Sequence, residues 1–412
     1  MTQHPVDDRP VHLDSPGGTA GPRVPLYTPE FAADPHAAYA EMRHRYGPLV
    51  PVDLAPGVPA TLVVGYRTAV RILNDPDHFP ADPRIWQKNA PADSPIMAML
   101  EWRPNALRSA GIEHARYRKV NTHALDGVDL HALHATIERL AVPLINRFCE
   151  SGSAELIADY AFPLTFAVFN AMLGCPDELG ERIASSIAMV YEGVPEGGDL
   201  LTAALMELVN LKRAHPGNDV ATRLMQHSAN LDDAELANQI VTLYGAGTEP
   251  EQNLITNTLL LILTDDRFAG RGWHGRSLSI SDALNELLFT DPPISNFSVS
   301  YPRQPVFIEG QWLPAHHPVV ISLSAANTDP EVGARAHTGN RSHLAWSAGP
   351  HACPARSMSY VIAHDAIEQL LDAIPEPHLA VPAAELTWRP GPFHRSLTAL
   401  PITFPKSPPL TV

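Results

Sequence analysis

The sequence predicts a mainly α-helical fold with small β-sheets. Three observations carry that expectation. From about residue 112 to 290 the pattern is mostly helical, broken near Gly127, Gly152, residues 174–176, 193–198 and 216–217. Short alternating apolar stretches, the mark of strands, occur toward both ends of the chain. No internal repeat and no shift of composition cuts the chain into separate domains.

Residues 1–24 are polar and rich in proline and glycine, and are expected to form a loose tail ahead of a single domain over 25–412. Asp34-Pro35 opens a helix carrying Tyr39 and Met42, which ends at Gly47-Pro48. Residues 49–54 and 60–65 read as two strands joined by Ala55-Pro56-Gly57-Val58-Pro59, and residues 66–73 read as a helix. A long helix is expected over about 232–265, with Asp232 and Glu235 as a capping box in which Asp takes the usual Ser/Thr place. Alternation over 305–325 around the turn Glu309-Gly310-Gln311 predicts a hairpin. Residues 354–374 return to helix, and 386–404 read as short strands.

Composition excludes several classes. The 412 residues include 29 basic and 45 acidic side chains, a formal charge of −16. That balance argues against a surface built to grip nucleic acid or anionic lipid. Apolar residues make up 45%, enough for a large core, so a disordered polyelectrolyte is excluded. The 41 prolines exclude a coiled coil. The apolar run over 254–263 is interrupted by Thr256, Asn257 and Thr258 and is too short for a membrane span. The N-terminus lacks the basic start and apolar stretch of a signal peptide. Cys149, Cys175 and Cys353 cannot form a disulfide framework, so a cytoplasmic location is expected.

The segment Trp346-Ser-Ala-Gly-Pro-His-Ala-Cys-Pro-Ala-Arg356 is the most informative. It puts Cys353 at the start of a helix whose Met358, Ile362, Ala366, Leu370 and Ile374 share one face, with Pro354 at the first helical position. Free amides and the helix dipole there favour a thiolate, the form that binds metal. A small packed thiol is the competing reading.

The segment resembles the haem-binding loop of the cytochrome P450 family, Phe-Gly-x-Gly-x-His/Arg-x-Cys-x-Gly, with Gly349, His351 and Cys353 matching and Trp346, Ser347 and Ala355 replacing the Phe and two Gly. Val306-Phe-Ile-Glu-Gly310 with Leu313-Pro314, Ser324-Ala-Ala-Asn-Thr-Asp-Pro330 and Asn340-Arg-Ser-His-Leu-Ala-Trp346 are similar to further family segments. So is Gly111-Ile-Glu-His-Ala-Arg-Tyr-Arg118, whose His114 and Arg118 share a helix face. The resemblance implies the P450 fold, with haem b between the long helix and the cysteine loop. It makes Cys353 the axial ligand, Trp346 a shield for the sulfur, and His114, Arg118 and His351 contacts of the haem propionates.

Two family motifs are broken. The distal-helix pattern Ala/Gly-Gly-x-Asp/Glu-Thr reads Ala246-Gly247-Thr248-Glu249-Pro250. Gly247 is expected to leave room for oxygen, and Glu249, helped by Thr248, to relay protons in place of the missing threonine. The Glu-x-x-Arg motif keeps Glu286 but has Phe289 for arginine, with Arg341 and Arg335 as candidate partners for the glutamate. Ser300 falls near the usual propionate-binding arginine, and Arg303 is the expected substitute.

By this resemblance the chain is a haem–thiolate monooxygenase acting on a small lipophilic substrate. Electrons then come from a separate ferredoxin and its reductase, docking near Arg356. Peroxide-driven or non-oxygenating chemistry at haem, and a non-catalytic haem-binding role, are the alternatives. Pocket residues are expected over 78–105, 193–199, 294–297 and at Phe393.

Overall fold

The computed structural model describes residues 22–191, 194–268, 278–332 and 340–411. It begins with β1 (Val24–Pro25), α1 (Pro29–Ala33) and α2 (Pro35–Tyr46). The strands β2 (Leu49–Ala55) and β3 (Val58–Val63) follow, then α3 (Tyr66–Leu73) and α4 (Met97–Leu100). The helical body comprises α5 (Gly111–Asp126), α6 (Leu130–Ile145), β4 (Ser153–Glu155), α7 (Phe162–Leu173), α8 (Asp177–Tyr191), α9 (Gly197–Ala214) and α10 (Val220–Gln226). It ends with α11 (Asp233–Thr264) and α12 (Ile280–Thr290). The last part carries β5 (Ser298–Ser300), β6 (Val306–Ile308), β7 (Gln311–Leu313), β8 (Val319–Ile321) and α13 (Leu323–Asn327). It closes with α14 (Arg356–Ala373), β9 (His378–Leu379) and β10 (Pro401–Thr403).

Local chemistry sets these limits. Asp34 caps α2 by accepting from the Ala37 N–H at 3.0 Å, Pro35 supplies a preset φ at the first position, and Gly47 ends the helix at φ +74°. The β2–β3 turn is tighter than its Pro-rich sequence suggests. Ala55 pairs with Val58 and Asp53 with Pro59, so only Pro56-Gly57 turns the chain, and Gly57 takes φ +74°.

The five-stranded sheet has the order β1-β2-β3-β8-β5, with β1–β2 and β3–β8 parallel and the other pairs antiparallel. Arg23 donates to the carbonyls of Val52 and Ala60 beside it. The hairpin β6–β7 forms as expected, turning through Glu309 and Gly310, both at positive φ. In the C-terminal stretch only β10 is a strand over 386–404, with isolated bridges between Trp388 and Leu397 and between His394 and Ile294.

The capping box of α11 is present in both directions. At about 1.5 Å per residue its 32 residues span roughly 48 Å, and α7, α9, α12 and α14 pack around it. Glu235 also ties α11 to α5, pairing with Arg116 and accepting from the Tyr117 hydroxyl at 2.8 Å. The largest apolar core joins α6, α7, α11 and α14 through Ile137, Leu164, Leu254, Ile255, Ile362 and Ile367. Among the described residues, no helix is long and apolar enough to cross a membrane.

Candidate active site

The loop before α14 takes its shape from two left-handed residues. Gly349 sits at φ +68°, and a Cβ there would lie 2.0 Å from the Leu73 carbonyl oxygen, so only glycine lets the loop rest on the end of α3. Ser347 also takes positive φ, +57°, and its hydroxyl lies 3.0 Å from that of Ser298. Ala355 has φ −99°, which suits alanine. The loop closes when the Cys353 N–H donates to the Trp346 carbonyl at 2.8 Å.

Two sequence expectations change here. The helix starts at Arg356 with Ala355 as its cap, so Pro354 precedes it rather than opening it. Burial outweighs the nearby Ala355 N–H and Arg118, and pushes the free Cys353 thiol above its ordinary pKa instead of lowering it. A cation bound to the sulfur would favour the thiolate there.

Cys353 lines a cavity of about 400 Å³ between α11 and the start of α14, which Trp346, His351 and Arg118 also line. His114 and Arg118 lie one turn apart on α5, and the His114 and His351 rings stack at 4.0 Å between centroids. The structure sets His114 against His351, which lines the cavity with Arg118. Arg118 donates to the Ala352 carbonyl, while His114 Nε2 is buried without a partner. His351 is held neutral, its pKa pushed down to about 3 by burial and then by His114, Arg118 and Arg108.

Arg303 is exposed and does not line the cavity, which corrects the expectation for it. A further guanidinium at the cavity is Arg108, buried, 5.0 Å over the Phe297 ring and upstream of α5. Nothing in its loop sequence marks it. Two guanidiniums and two imidazoles converging in a chain of net charge −16 form a site for an anionic group. A thiol below and an anion site at the side are the donor set a haem requires.

The cavity-facing side of α11 is not the one expected. It presents Leu243, Ala246, Gly247, Pro250, Glu251 and Leu254. Thr248 and Glu249 do not line the cavity, being rotated off this face by the 100° helical step. Thr248 is buried with an unpartnered hydroxyl. Glu249 pairs with Arg389 and lies 3.4 Å from His394 Nδ1 and 3.4 Å from Ser396 Oγ. The room beside Gly247 is filled by Phe169, whose ring a Cβ would meet at 2.2 Å.

The acid that α11 brings to the cavity is Glu251, which sequence reasoning missed. Its spacing four residues after Gly247 was the available signal. Glu251 is 3% exposed and accepts from the Ser359 hydroxyl, while its Oε1 has no partner. Burial raises its pKa to about 8, so it carries a proton at neutral pH.

The comparisons agree with this geometry. The chain is 29% identical over 392 residues to the cytochrome P450 monooxygenase PikC of Streptomyces venezuelae, covering 90% of this chain and 92% of that one. It is 27% identical to cytochrome P450 107B1 of Saccharopolyspora erythraea, covering 92% and 98%. The solved CYP154C4 from Streptomyces sp. ATCC 11861 superposes with a TM-score of 0.85 at 26% identity, covering 94% and 99%. In sequence and in fold the chain is similar to bacterial cytochrome P450s. No protein-family model matches it.

These relatives are bacterial cytochrome P450s, PikC among them a monooxygenase, and haem is the cofactor that the likeness implies. In this chain the support behind the cysteine loop is built differently. Glu286 does not use Arg341, which is exposed; it pairs with Arg267 at 3.4 Å. Arg335 lies outside the described residues. Phe289 is buried against the edge of His343, with centroids 6.3 Å apart. Asn327 completes the support: its amide donates to the Leu288 carbonyl at 3.1 Å and accepts from the Leu344 N–H at 2.6 Å.

Of the expected pocket loops, 78–105 contributes Phe79, Met99 and Arg103, and 294–297 contributes Ile294 and Phe297. Phe393 lies behind the wall, edge-on to Phe297 at 5.0 Å. Described residues 194–199 do not line the cavity; Ile187 and Val190 of α8 and Leu201 of α9 do.

Proposed function

We propose that this chain is a P450 that holds haem b within a single domain over residues 25–412. In this reading it uses O2 to oxygenate a small lipophilic substrate in the cytoplasm. Bound at this site, haem supplies the redox chemistry, with a Cys353 thiolate favouring O–O cleavage. His114, Arg118 and His351, joined by Arg108, hold its propionates, and Trp346 shields the sulfur. Glu251 keeps a proton at its carboxyl in a water-poor cavity. The apolar wall of Phe169, Met172, Val190, Val241 and Leu254 supports a lipophilic ligand. Relatives include a vitamin D(3) 25-hydroxylase and a 6-deoxyerythronolide B hydroxylase. Electrons come from a separate ferredoxin and reductase that dock near Arg356, which is exposed at the first position of α14.

The observation that carries this reading is one cavity with Cys353 on its floor and Arg118 and His351 at its side. The test is the spectrum of the reduced, carbon monoxide-bound protein. The red-shifted Soret band of a thiolate ligand is expected in the parent and absent from Cys353→Ala. A parent without haem or without that band overturns the reading.

Pro250 in place of the threonine, with Glu249 turned to Arg389, supports a second reading in which peroxide drives turnover. Comparing conversion with NADPH and redox partners against conversion with peroxide separates the two. A Pro250→Thr gain restricted to the partner-driven rate supports relay loss as the cause.

A further inference from the structure

Away from the cavity, the seam between α6 and α14 gathers four metal-ligating side chains. Asp365, on α14, is 93% buried by residue area (7% exposed), and each carboxylate oxygen faces an imidazole nitrogen. Asp365 Oδ2 contacts Nδ1 of His134 from α6, and Oδ1 lies 3.4 Å from Nδ1 of His364. Glu368 lies one turn after His364, with Oε2 3.9 Å from the same Nδ1. The ligating atoms of His364, Asp365 and Glu368 lie within 4.8 Å of one another.

We propose that His364, Asp365 and Glu368 form a site for a divalent transition metal of the zinc class, with His134 of α6 holding the other oxygen of Asp365. A buried carboxylate is costly unless a cation meets it. The ion-pair partners of Asp365 among the described residues are imidazoles, which provide that cation only when protonated. A metal supplies it with both rings neutral. One imidazole and two carboxylates, with water completing the shell, are a zinc-type donor set. Tetrahedral zinc with bonds near 2.0–2.1 Å separates its ligands by about 3.4 Å, close to the 3.4 and 3.9 Å found here. His134 and Glu368, both half-exposed, give the ion a route in from solvent. The i, i+4 pair on α14 supplies a helical chelate and His134 braces Asp365 from α6, so the metal would steady the helix that starts three residues after Cys353.

The test uses the haem-loaded full chain, freed of metal by a chelator and titrated with Zn2+ by calorimetry. One equivalent should bind with micromolar or tighter affinity and raise the melting temperature. His134→Ala and His364→Ala should each weaken binding at least tenfold and abolish the thermal shift. Glu368→Gln, a change at an exposed position that leaves the fold intact, should weaken binding too. His123→Ala, in a separate histidine pair with His227, should leave binding unchanged. No binding by the parent, or equal binding by both seam-histidine variants, overturns the proposal and leaves an ordinary imidazole–carboxylate network.

Discussion

Phe289 meets His343 edge-on where the family's Glu-x-x-Arg motif has its arginine. Burial, and then Arg356, push the His343 pKa down to about 4, so a ring faces a neutral imidazole at this place. Packing has replaced charge here. Phe289→Ala should therefore cost about 3–5 kcal/mol. Glu286→Gln should cost within about 1 kcal/mol, because its partner Arg267 is half-exposed. Urea unfolding of the two variants checks the order, and a larger loss for Glu286→Gln refutes it.

Gly349→Ala should prevent the cysteine loop from seating on Leu73, both by the 2.0 Å contact and by positive φ. The expected result is a protein with native-like helix content by circular dichroism but with haem content cut at least tenfold. Full haem incorporation by the variant contradicts this account of the loop.

Gly247→Ala pushes against the Phe169 ring. The ring is the movable partner, so the variant should fold and bind substrate-type ligands more weakly, by about tenfold at most. Phe169→Ala should restore the affinity of Gly247→Ala. A double-mutant cycle read by ligand-induced spectral shifts measures the coupling, and additive effects would show that the two do not meet.

Glu251 makes stability depend on pH with a definite sign. Its folded pKa of about 8 lies above the ordinary carboxylate value of 4.5. Over that interval the folded state binds more protons than the unfolded one, so stability falls as pH rises from about 4.5 to 8. Glu251→Gln, neutral throughout, should remove that fall. Unfolding of parent and variant at pH 5, 6, 7 and 8 checks it, and parallel profiles reject a protonated Glu251.

Most of the helical frame was legible because caps and apolar spacing are local signals. Asp34-Pro35 gave the start of α2, and Asp232 with Glu235 the start of α11. The cysteine loop, His114, Arg118 and His351 were legible as motif residues, and the structure brings them together. Other features depend on how elements meet. The turn at Pro56-Gly57 is set by strand register, and the partner of Glu286 comes from across a loop at Arg267. Arg108 reaches the cavity from a segment without periodicity. The facing of α11 was readable in principle, since Gly247 and Glu251 are one turn apart, but the motif drew attention to Glu249, which looks the other way.

The two sides of the cavity should answer differently to salt. The contacts that hold the cysteine loop include the Asn327 amide, the Ser298–Ser347 hydroxyl pair and the Phe289–His343 contact, none of which carries a net charge. Glu249 on α11 is held to the C-terminal segment by Arg389, an ion pair half-open to water, within reach of ionic screening. Raising ionic strength should loosen the C-terminal wall of the chamber while leaving those uncharged contacts behind Cys353 in place, so ligand affinity becomes salt-dependent.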